Sequence, residues 1–201
     1  MSEQIEMTAD EMLVYERWLT SPHYWFKDCV ITIDEARSEL GLDPVRRWPH
    51  EEDYLKYLLH YSDKYPVLMV NKSRRMMATW IFSIRLLYKI LFFQGQANFI
   101  ICKKFDDAFG IMKDRIISVY ENIPEQITVN MEVNGENREI TVNPKAMMPK
   151  ITIHKKEGRL TVDDNKSYIQ ASVAGHNPLR GKSASNVFFD EAAAQPMIRE
   201  T

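Results

Sequence analysis

Asn186-Val187-Phe188-Phe189-Asp190-Glu191 is an apolar run closed by two adjacent carboxylates. A buried strand that ends this way can bring a magnesium-holding aspartate and a water-polarising glutamate to the edge of a sheet, Asp190 in the first role and Glu191 in the second. Many strands also end in a charged, solvated turn, so the run gains meaning only if a phosphate-binding turn lies upstream. The segment to weigh is Lys72-Ser73-Arg74-Arg75-Met76-Met77-Ala78-Thr79. It follows Pro66–Val70, an apolar run of strand length, and precedes a helix expected from about Thr79 to Phe93. That is the setting such a turn needs, because inward backbone N–H groups and a helix N-terminus together hold phosphate. Against the pattern GxxxxGK[ST], only Thr79 matches; Lys72, Met77 and Ala78 stand where Gly, Gly and Lys are expected. Lys72, Arg74 and Arg75 supply three cations at the strand end, and the planar fork of arginine suits phosphate. Read from the segment alone, a solvated basic turn competes with this. Lacking the glycines, a phosphate-binding turn is expected to avoid positive φ here.

Gly181-Lys182-Ser183 is a literal GKS, with Gly175 one residue out of register for the full pattern. The apolar run from Asn186 begins almost at once, leaving no room for the helix that would bind phosphate, and Pro178 sits within the would-be loop. It is set aside as the main phosphate site.

Around these motifs the chain reads as α/β. Thr8 and Glu11 form a capping box opening a helix through about Leu19, stopped at Ser21-Pro22. Thr32 and Glu35 repeat the device for a short helix closed at Gly41. Glu51-Glu52-Asp53 opens a further helix through Tyr61. Ala97–Cys102 reads as a strand and Phe105–Glu121 as a helix with Phe109, Met112, Ile116 and Val119 apolar. Strand, helix, strand, helix in this order predicts a parallel sheet with right-handed crossovers. Asn134-Gly135 and Glu157-Gly158 then mark two hairpins, Ile127–Val133 with Arg138–Val142 and Ile151–His154 with Arg159–Val162. They read as an antiparallel insertion, and Ser167–Ser172 and Asn186–Phe189 complete the strands.

The 201 residues are 45% hydrophobic and 27% charged, ordinary for a chain that builds a core. A net charge of -2 and a pI near 6.2 give no global basic footprint, so any nucleic-acid contact is local. Cys29 and Cys102 form no CxxC pair and read as buried thiols. No apolar segment follows Met1-Ser2-Glu3-Gln4, and Trp80–Phe93 is interrupted by Arg85 and Lys89, short of the roughly 20 residues that span a bilayer; no membrane contact is expected. His23, His50, His60, His154 and His176 lack metal-ligand spacing. Tyr24-Trp25-Phe26 reads as packing rather than a stacking platform.

The chain resembles the ATPase domain of the large terminase subunits of tailed bacteriophages, the motors that pump double-stranded DNA into empty capsids. Val70 to Thr79 looks like their deviant Walker A, commonly a Lys-Ser-Arg-Gln-x-Gly-x-Ser/Thr run, with Arg75 here in place of Gln and Met77 in place of Gly. Asn177-Pro178-Leu179-Arg180-Gly181 looks like the Leu-Arg-Gly segment that precedes their Walker B, and Asn186 to Ala193 looks like the Walker B. The likeness covers roughly residues 45 to 201, with Trp48-Pro49 and the next helix on the adenine side.

The resemblance implies a P-loop NTPase core of the ASCE type, a parallel sheet flanked by helices with a hairpin insertion, preceded by a helical arm over 1–45; the ATPase part would occupy 46–201. It implies ATP and Mg²⁺ as ligands. The segment Lys72, Ser73, Arg74, Arg75, Met76, Met77, Ala78, Thr79 would bind nucleotide, with Lys72 and Arg74 on the β/γ-phosphates. Thr79 and Asp190 would meet the metal, Glu191 would act on water, and Arg180 would sense nucleotide or DNA. Double-stranded DNA, a portal protein, a small terminase subunit and further copies in a ring are the implied partners, at the procapsid portal in the host cytoplasm. Further core strands and a nuclease domain follow in the family, so the chain reads as a fragment or the first piece of a split gene with an incomplete core. Two other readings stay open: a helicase-like ATPase, and an inert nucleotide-binding or structural module.

Overall fold

The structure, a computed structural model, describes residues 7–33, 37, 39–71, 77–175, 179, 181 and 183–190. In chain order the elements are helices α1 (Ala9–Thr20) and α2 (Pro22–Cys29), strands β1 (Ile31–Ile33) and β2 (Val45–Arg47), and helices α3 (Asp53–Lys64) and α4 (Ala78–Phe92). Strand β3 (Ala97–Cys102) precedes helix α5 (Phe105–Ile111), which runs on through a π-helical stretch, Met112–Ile117, into α6 (Ser118–Glu121). Strands β4 (Ile127–Val133) and β5 (Glu136–Val142), helix α7 (Pro144–Met147), and strands β6 (Thr152–His154), β7 (Arg159–Val162), β8 (Ser167–Val173) and β9 (Asn186–Phe189) complete the order. The chain is mixed α/β, and it divides into two compact units: Met1–Val70 with Val119–Met148, and Asn71–Ser118 with Pro149–Thr201.

The first unit follows from local signals. Thr8 caps α1 as the capping box predicts: its hydroxyl accepts from the Glu11 N–H at 3.2 Å, and the Glu11 carboxylate accepts from the Thr8 N–H at 2.8 Å. Pro22 ends one helix by starting the next, since at N1 its missing N–H costs nothing. Trp25 and Phe26 are fully buried and Phe26 meets Trp48 edge-on at 5.5 Å, so this aromatic cluster is core. The Trp18 indole N–H finds the Asp28 carboxylate at 2.9 Å. Thr32 is not a cap: it lies in β1, paired antiparallel with β2, its hydroxyl directed at the Arg46 carbonyl. Alternating Ile31-Thr32-Ile33 suits a strand once a partner is available, so Thr32 pairs instead of capping; Glu35 lies outside the described residues, while Arg37 and Glu39 are helical as the short-helix reading expects. Gly41 does close a turn in the left-handed region, with the Leu42 N–H donating to the Arg37 carbonyl at 2.9 Å. The β4–β5 hairpin turns on Asn134 and Gly135, both at positive φ, as a tight two-residue turn demands. It packs on α1, where Arg138 pairs with Asp10 at 3.3 Å.

In the second unit a five-stranded sheet runs in the order β6-β7-β8-β3-β9. β8, β3 and β9 are parallel, β7 adds antiparallel to β8, and β6 adds antiparallel to β7. The sheet is therefore mixed rather than purely parallel, because the second hairpin extends it while the first forms a separate ribbon in the other unit. Gly158 makes that extension possible: it sits at φ 59°, and a Cβ there would run into the Phe105 ring. β3, hydrogen-bonded on both edges, holds Phe99, Ile100 and Ile101 at zero exposure. Helix α4 packs on β8 and β9, α5 packs on β3 and β8, and the π-helical stretch packs on α4. α4 is apolar nearly all round, as a buried helix must be. Among the described residues no helix is long and apolar enough to cross a membrane.

One expected strand does not form. Pro66–Val70 carries no strand, and Val67 and Met69 are 82% and 87% exposed. An extended segment gains little unless a neighbour takes its backbone N–H and C=O groups, and no ladder includes this run.

Candidate functional site

Helix α4 starts one residue after Met77, which serves as its N-cap at φ 51°, ψ 11°. Met77 occupies a position where the phosphate-loop pattern carries glycine, and it adopts the left-handed conformation that glycine takes without strain. The expectation that this turn avoids positive φ is therefore overturned; the entry into α4 fixes the backbone, and the side chain accepts it. Ala78 is buried and Thr79 half-buried in the first helical turn. The Thr79 carbonyl is taken by the Ser83 hydroxyl at 2.6 Å.

Asp190 follows β9, whose register is set by side chains as well as by the ladder. The Asn186 side-chain Nδ2 donates to Asn98 Oδ1 at 2.8 Å, and Arg85 of α4 donates to Asn186 Oδ1 at 3.3 Å. The Ser185 hydroxyl accepts from the Ala97 N–H at 3.1 Å, while the Ser185 N–H donates to the Ala97 carbonyl at 2.7 Å. At the other end, the Asp190 N–H donates to the Ile101 carbonyl at 3.2 Å. β9 is not the buried strand expected: its residues are half-buried and Phe189 is 38% exposed. The reason is topological, since among the described strands β9 has β3 as its single neighbour.

These two pieces meet. The Thr79 hydroxyl donates to the Asp190 carboxylate at 3.3 Å across 111 residues of sequence. A helix start and a parallel-strand end thereby bring a hydroxyl and a carboxylate together beyond the C-terminal ends of β3 and β9, where open α/β sheets hold their ligands. Cys102, Asp106, Asp114, Arg115 and Asp190 are among the residues lining a cavity of about 450 Å³ at this edge. Lys72, Ser73, Arg74, Arg75, Met76, Arg180 and Glu191 lie outside the described residues. Ser183 to Ser185 lead into β9 without a helix, which bears out setting aside the GKS sequence as a phosphate loop.

Sequence reading did not find Asn98 or Arg115, and it quoted Asn186 only as the start of an apolar run. Arg85 and Lys89 were noted only as interruptions of an apolar stretch; Arg85 holds Asn186, and Lys89 lies over the Phe93 ring at 4.8 Å. Asn98 carries the one available signal, a polar residue inside an apolar strand. Comparison with protein-family models and with curated proteins gives no match.

Proposed function

We propose that this chain is the ATP-binding and hydrolysing part of a viral DNA-packaging terminase large subunit, built on a P-loop NTPase core. The observation that carries the reading is the Thr79–Asp190 contact, the pairing that magnesium-nucleotide chemistry needs between a loop hydroxyl and a strand-end carboxylate. Left-handed Met77 at a glycine position supports it independently.

Thr79 and Asp190 fit a magnesium ion. Both are oxygen donors, and magnesium binds through one or two protein oxygens while waters and substrate phosphates fill the rest of its shell. Among the described residues no group of three acidic, histidine or cysteine side chains is placed to hold a metal. When bound, the ion would neutralise charge developing on the transferring phosphate. The chain's own contribution is position: Asn186, Asn98 and Arg85 fix β9 so that Asp190 stays within reach of Thr79. Lys72 and Arg74 on the phosphates and Glu191 on the attacking water remain roles taken from the resemblance, as do double-stranded DNA, portal, small subunit and ring partners at the procapsid.

Calorimetric titration with Mg-ATPγS tests the reading. The parent should bind, and Lys72→Ala and Asp190→Ala, each shown to be folded by circular dichroism, should each weaken binding at least about tenfold, as expected for loss of a charge-assisted contact. A folded parent that binds nothing sinks it. Hydrolysis stimulated by portal-bearing procapsids and double-stranded DNA would favour the packaging motor; stimulation by single strands alone would favour a helicase-like ATPase.

A further inference from the structure

We propose that Arg115 is an anion-contacting residue of the same cavity, holding the phosphate end of a magnesium-bound nucleotide while Trp80 presents it. The inference rests on the nucleotide reading above and adds a residue that neither sequence motif contains. Arg115 sits in the π-helical stretch Met112–Ile117, where the Ser118 N–H reaches back to the Lys113 carbonyl. Such turns are rare in helices and concentrate at functional sites. The guanidinium carbon lies 4.9 Å from the centre of the Trp80 ring, and Trp80 is the residue after Thr79. Arg115 also lines the cavity that Asp190 lines.

The guanidinium is poorly satisfied. Its Nε is buried and has no hydrogen-bond partner, and Arg115 forms no ion pair with the described residues. A buried donor without an acceptor is costly, and the planar fork of a guanidinium held over an aromatic ring suits two-point contact with a phosphate. The remaining charge decides what form the phosphate must take. Among the described residues, Asp106, Asp107, Asp114 and Asp190 line the cavity with Lys103 and Arg115. Four carboxylates repel a bare phosphate and admit one that arrives with a divalent cation. Asp190 then lies toward the metal and Arg115 toward the anion.

The test uses the full chain, with magnesium tripolyphosphate and Mg-ATPγS titrated by calorimetry into the parent, Arg115→Gln and Arg115→Lys, and near-ultraviolet circular dichroism to establish folding. Tripolyphosphate has no base or sugar, so packing of Arg115 on Trp80 alone would not give it affinity. The parent should bind both ligands, and EDTA should abolish binding. Arg115→Gln should weaken both by about tenfold or more, and Arg115→Lys by less, since it keeps the charge but loses the fork. If Arg115→Gln does not fold, a tripolyphosphate affinity of Arg115→Lys equal to that of the parent overturns the proposal. A parent that binds Mg-ATPγS with Arg115→Gln unchanged overturns the role of Arg115 and leaves the nucleotide reading intact. Arg115-dependent binding of tripolyphosphate with no affinity for Mg-ATPγS supports the anion site and overturns the nucleotide reading. A folded parent that binds neither overturns both.

Discussion

Pro66–Val70 and Ala97–Cys102 are apolar runs of similar length that meet opposite ends. The second becomes β3, hydrogen-bonded on both edges, with Asn98, Phe99, Ile100 and Ile101 at zero exposure. The first makes no strand and leaves Val67 and Met69 in solvent. Apolar content favours burial, but a strand forms only where neighbours take its backbone groups and elements cover its faces. β9 stands between the two cases, with β3 as its one partner among the described strands and side-chain contacts from Asn186 to β3 and to Arg85 of α4.

The largest effect should come from β3 itself. Phe99→Ala should lower stability by about 3–5 kcal/mol in urea unfolding, the usual cost of emptying a packed aromatic site. Met69→Ser in the same assay should stay within about 0.5 kcal/mol, as for an exposed position. Comparable losses would break the contrast, because they would place Met69 in a core. Asn186→Ala probes the intermediate case. It strips the partner from the Asn98 oxygen and from Arg85, and should cost about 1–3 kcal/mol. Hydrogen exchange should show faster opening at the Asp190 amide while β8 keeps its protection; uniform loss along the sheet would mean that these side chains do not set the β9 register. Met77→Gly has a smaller effect, of opposite sign. Relieving a left-handed non-glycine residue should raise stability by about 1 kcal/mol, and a decrease would show that the turn before α4 is not left-handed in solution.

Much of the fold was legible because its signals are short-range. The Thr8–Glu11 box, the Asn134-Gly135 turn and the apolar Phe99–Cys102 run of β3 each state their structure within a few residues. Thr32 shows where that reasoning fails: a capping pattern and a strand pattern overlap, and pairing with Arg46 fourteen residues away decides between them. The two hairpins were equally readable as hairpins, yet one packs on α1 and the other extends the sheet through β8. Nothing local distinguishes them, because the difference lies in which surface each one covers.

The candidate site divides the same way. Thr79 and Asp190 stand out in the sequence through their neighbours: a basic turn before an apolar helix, and an apolar run before two carboxylates. Their meeting at 3.3 Å, the left-handed Met77, the Arg85–Asn186–Asn98 lock and the placement of Arg115 over Trp80 belong to the tertiary structure. Sequence by itself determined where α1 begins and that Gly41 and Asn134-Gly135 take positive φ, since those depend on one residue's torsions and its near neighbours. Strand order and the contacts across more than a hundred residues were decided only by packing, because each is a choice among distant partners of similar chemistry.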